Sequence, residues 1–136
     1  MKKSLFSLVV VFAMFTALFS SSAFAYDQSG NYTISNLADN DSNYPNKYYM
    51  KVNSAGSVSV SFHNMTVGYK VGVKLYNSST GNWTTQKVAE LPTTNFVEFT
   101  NLKSGNYVIE VTNLSGKKIS GTCGYAWDGS LGPWIE

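Results

Sequence analysis

The residues equipped for chemistry are few, and they are scattered. The chain carries one histidine, His63, and one cysteine, Cys123, beside eight carboxylates and ten lysines, with no arginine. A nucleophile needs a base within hydrogen-bond reach, and His63 comes with no partner acid and no G-x-S-x-G elbow. It follows Phe62 at the end of an alternating run, which places it at a solvent-facing strand end. Two carboxylates could serve glycoside hydrolysis, yet Glu90, Glu98 and Glu110 stand singly in turns or outward strand places. One His and one Cys cannot supply the four ligands of a structural zinc site, and no glycine-rich loop leads into a helix to hold phosphate. The expectation is a non-catalytic protein without a cofactor.

One stretch does have ligand spacing. In "ADNDSNYPN", Asp39, Asp41 and Asn43 recur at alternate positions, as hard oxygen ligands do at the start of a calcium loop. The pattern then departs: Tyr44 replaces the sharp-turn glycine, and Met50 stands where a bidentate Glu would be. A polar loop rich in Asx turns explains the same residues. Calcium is therefore expected to bind weakly or not at all, with Asp27 as a distant candidate ligand.

Aromatic residues and lysines form the second constellation. Strand parity points Tyr49, Tyr76, Lys70 and Lys74 outward, while Trp83 falls in or after a turn and Trp134 lies in the tail. Exposed planar rings with few charges around them suit stacking on sugars or anchoring in a protein partner. Trp127 has inward parity and reads as core.

These side chains must be positioned by strands, because no segment after residue 25 sustains helical periodicity. "YYMKV" places Tyr48, Met50 and Val52 on one face, and "GSVSVSF" sets Val58, Val60 and Phe62 against serines. "YKVGVKLY" sets Tyr69, Val71, Val73 and Leu75 against Lys70, Gly72, Lys74 and Tyr76. "FVEF", "NYVIEV" and "KISGTCGYAW" continue the series, with Cys123 on the parity of Ile119 and Tyr125 and hence buried. Apolar-in, polar-out alternation marks half-buried antiparallel strands. "SAG", "NSSTGN", "KSG" and "LSG" supply turns where Gly or Asn takes positive φ. The expected fold is an all-β, antiparallel β-sandwich of jelly-roll type, one domain over residues 26–136.

The segment ahead of that domain is an address. Lys2 and Lys3 precede the apolar run "SLVVVFAMFTALF" and then Ala23-Phe24-Ala25, the pattern of a secretory signal cleaved after Ala25. The run is shorter than the roughly 20 residues of a membrane-spanning helix. Export would remove two lysines and leave eight facing eight acids, a formal charge near zero. That balance gives no reason to expect nucleic acid or membrane insertion.

Within the strands, "FTNLKSGNYVIEV" (99–111) closes one strand at Leu102, turns through Lys103-Ser104-Gly105 and opens the next at Tyr107. A tyrosine there can bury its ring while its hydroxyl bonds upstream backbone, the tyrosine corner of sandwich domains. Taken with "YYMKVNSAGSVSVSF" and "VGVKLYNSSTGNW", the order over roughly residues 47 to 126 resembles the bacterial pre-peptidase C-terminal domain. The resemblance implies an accessory β-sandwich of secreted enzymes, a binding or solubilising module. Lys70, Gly72 and Lys74 here occupy outward places where the family's strand carries acids.

The reading is thus a secreted binding module for an extracellular polysaccharide, cell wall or protein. Its rivals are a small antibacterial effector or enzyme inhibitor acting through a loop such as "NSSTGNW", and a matrix or surface protein associating through strand edges.

Overall fold

A computed structural model describes residues 26–91 and 93–136; the expected signal segment, residues 1–25, lies outside them. The described residues form no helix, and so none long and apolar enough to cross a membrane. The strands run in chain order as β1 (Gln28–Leu37), β2 (Ser42–Asn43), β3 (Tyr48–Val52), β4 (Gly56–His63), β5 (Lys70–Asn77) and β6 (Asn82–Trp83). They continue as β7 (Lys87–Glu90), β8 (Phe96–Leu102), β9 (Gly105–Asn113), β10 (Ile119–Trp127) and β11 (Gly129–Trp134).

Two antiparallel sheets face one another. The smaller has the order β1-β10-β4-β8, and the larger β11-β3-β9-β5-β6, with β2 beside β9 and β7 beside β5. The chain changes sheet at nearly every connection and stays within one only from β2 to β3 and from β5 through β7. This crossing pattern makes the sandwich jelly-roll-like.

Alternation builds the core as expected. In β4 every second residue from Gly56 to Phe62 is buried, and in β9 Tyr107, Ile109, Val111 and Asn113 point inward. Val58, Val60, Val71, Val73, Leu75, Ile109, Val111 and Cys123 have no exposed surface. Each of the aliphatic side chains among them contributes about 1.5–3 kcal/mol by leaving water. The corner also forms: Tyr107 is buried and its hydroxyl donates to Lys103 O at 2.7 Å.

Several features depart from what alternation and turn residues predict. The ten-residue β1, absent from the alternating series, is the edge strand of the smaller sheet beside β10. Its apolar residues Ile34 and Leu37 are three apart, and a register shift between them, with Asn36 at φ 48°, returns both to the core. Tyr48, which parity assigns to the inner face, is 40% exposed and edges onto Trp134 at a centroid distance of 5.0 Å and 89°. In "SAG" the left-handed residue is Ala55, φ 61°, not the glycine.

Buried asparagines lock the loops. Asn46 donates to the carbonyls of Tyr48 and Tyr107 and accepts from Ile109 N, tying the segment before β3 to β9. Asn113 donates to the carbonyls of Leu37 and Lys117 and accepts from Ser115 N.

Candidate functional site

The outer face of the larger sheet gathers part of the expected set. On β5 the outward residues Lys74 and Tyr76 alternate with the buried Val73, Leu75 and Asn77. The turn after β5 then brings Trp83 back across the strand. Ser79 N donates to Asn77 Oδ1 at 2.9 Å, Gly81 N donates to Asn77 O at 2.8 Å, and Gly81 takes φ 76°, a backbone shape that suits glycine. Trp83 therefore pairs with Tyr76, their ring centroids 5.0 Å apart at 44°. Lys74 Nζ lies 4.9 Å from the Trp83 ring centroid and 3.4 Å from Glu110 Oε1. Tyr44 donates to the other Glu110 oxygen at 3.1 Å. That hydrogen bond, with burial and the nearby charge behind it, raises the Tyr44 pKa.

Tyr49 extends the same face. It precedes Met50, the partner of Tyr107, so it stands beside Val108, which in turn pairs with Tyr76. Tyr49, Val108, Tyr76 and Trp83 thus form a row across β3, β9, β5 and β6. Three inter-strand gaps of about 4.8 Å make the row about 14 Å long. Trp83 is 47% exposed, while Tyr49, Val108 and Tyr76 are half-buried and form a shallow floor.

Other expected residues stand apart. Trp134 is exposed on β11, the far edge of the same sheet. Lys70 opens β5 opposite Glu90, two outward places before Lys74 and away from the rings. In the Asp39 loop, Asp39 Oδ1 accepts from Gly116 N at 2.8 Å, and Asn43 Oδ1 accepts from Tyr32 OH at 3.4 Å. Asp41 meets Asn113 through its backbone. Among the described residues no three His, Cys, Asp or Glu gather as a metal-binding group. Asp27 bonds elsewhere, accepting from Gly129 N at 3.0 Å.

His63 is exposed at the end of β4, and its Nε2 lies 3.1 Å from Ser61 Oγ over a cleft of about 220 Å³ on the smaller sheet. No carboxylate among the described residues lines that cleft. Cys123 is fully buried, and burial pushes its thiol up to about 12.

A larger cleft, about 440 Å³, opens between the sheet edges, where Tyr32, Tyr48, Tyr125, Trp127, Lys47 and Leu131 meet. Sequence alternation does not reveal it. Parity gives Tyr125 and Trp127 to the core, and the edge that leaves Tyr125 half-open is formed by β1, which alternation does not reveal.

No family model matches the chain, and no curated protein matches it. Among solved structures it is similar to the C-terminal CBM6 of LamC, a marine laminarinase from Zobellia galactanivorans, at 13% identity and TM-score 0.43, over 75% of this chain and 93% of that one. It is also similar to the SPBc2 prophage-derived protein YomS, at 11% identity and TM-score 0.42, over 74% and 94%. A third is a Bacillus endospore appendage protein, at 15% identity and TM-score 0.39, over 79% and 95%. These likenesses concern the fold alone.

Proposed function

We propose that the protein is a secreted, non-catalytic module that binds an extracellular polysaccharide on the outer face of its larger sheet. The observation that carries this reading is the convergence of Lys74 and Tyr76 from β5 with Trp83 from beyond the turn into one contacting group. The Tyr76 and Trp83 rings offer apolar faces for the C–H surfaces of sugar rings, and Lys74, Glu110 and Tyr44 offer hydrogen bonds to hydroxyls. The row has the length of a few sugar residues, and its open, shallow form suits a chain better than a small molecule.

A pull-down tests the reading. Purified protein is incubated with isolated cell wall, insoluble polysaccharides and culture-supernatant proteins, beside Trp83→Ala. Retention on a polysaccharide that Trp83→Ala loses supports it. Retention only by a supernatant protein would favour the effector or inhibitor reading instead.

A further inference from the structure

The cleft between the sheet edges lies away from the Tyr76–Trp83 face and has its own chemistry. Its floor is the Tyr125 ring, which lies across Gly30: a Cβ at Gly30 would come 2.5 Å from the ring. Trp127 flanks that ring nearly parallel, at 19° and a centroid distance of 6.1 Å. Tyr48 and Leu131, 40% and 55% exposed, form the rim. A stacked aromatic floor with a mixed rim suits one flat ring that is apolar on its faces and polar at its edge.

Charge narrows the ligand further. Among the described residues Lys47 is the one charged residue lining the cleft, and no carboxylate lines it. The ion pair among the described residues is Lys74–Glu110, so Lys47 is unpaired there.

We propose that this cleft is a second ligand site, for a sugar ring that carries a carboxylate, with Tyr125 stacking on the ring and Lys47 pairing with the acid. The site is independent of the outer-face reading, and either can fail alone.

The test is a titration of isotope-labelled protein, followed by amide chemical shifts, with methyl glucuronide and methyl galacturonide against the neutral methyl glucoside and galactoside. The acid sugars should shift Gly30, Lys47 and Tyr48 while leaving Trp83 in place. They should bind about fivefold more tightly than the neutral ones, the worth of one partly screened ion pair. Lys47→Gln, on an exposed side chain that the fold does not need, should abolish the preference. Equal binding of neutral and acid sugars, shifts centred on Tyr76 and Trp83, a preference that survives Lys47→Gln, or no shift with either acid sugar would each overturn the proposal.

Discussion

Tyr107 and Tyr69 show how two buried tyrosines differ by one hydrogen bond. The Tyr107 hydroxyl bonds Lys103 O, so Tyr107→Phe should cost about 1 kcal/mol, and Tyr107→Ala about 3 kcal/mol in denaturant unfolding. A loss below about 1 kcal/mol for the alanine variant would contradict the burial. The Tyr69 hydroxyl is buried with no partner among the described residues. Tyr69→Phe should therefore be neutral or stabilising by up to about 1 kcal/mol, and a clear loss would reveal a partner for it. Cys123 should resist thiol reagents until denaturant is added. Its folded pKa is raised from 9.0 to about 12, so folding favours the protonated thiol. The stability this gives is present below pH 9 and is lost as pH rises from 9 towards 12. Cys123→Ala should remove that part of the alkaline loss.

Among the elements, strands with strict alternation are legible in the sequence and the others are not. β4 and β9 bury every second residue, and β5 does so apart from Gly72, which is buried as well, so period two identifies them and places Lys74 and Tyr76 outward. β1 hides because its bulge breaks the period, and β7 because Ala89 is its one buried residue. Parity also does not tell that Tyr48, at the start of β3, reaches the rim instead of the core. The sequence names both Tyr76 and Trp83, but their contact depends on the Asn77–Gly81 turn, whose geometry no alternation encodes. Asn113 shows the same limit, since its partners come from residues 37, 115 and 117. The Asp39 loop is tied down by protein hydrogen bonds, so millimolar calcium should not raise Tm relative to chelator. A calcium-specific rise lost in Asp39→Asn/Asp41→Asn would place an ion there.

For the whole molecule, the sandwich presents two unlike outer faces. The smaller sheet shows small polar residues around His63, whereas the larger shows the Tyr49–Val108–Tyr76–Trp83 row beside Lys74. Export would put that face in contact with polymers outside the cell, and N-terminal sequencing of secreted protein should then begin at Tyr26. The most direct measurement is the affinity of purified protein for the polysaccharide that retains it, compared with Trp83→Ala and Trp134→Ala. Removing Trp83 should weaken binding about tenfold or more, the worth of one stacked ring, while removing Trp134 on the far edge should leave it within about twofold. Equal affinities for the wild type and Trp83→Ala, or no retention on any polysaccharide, would contradict polysaccharide binding by this face.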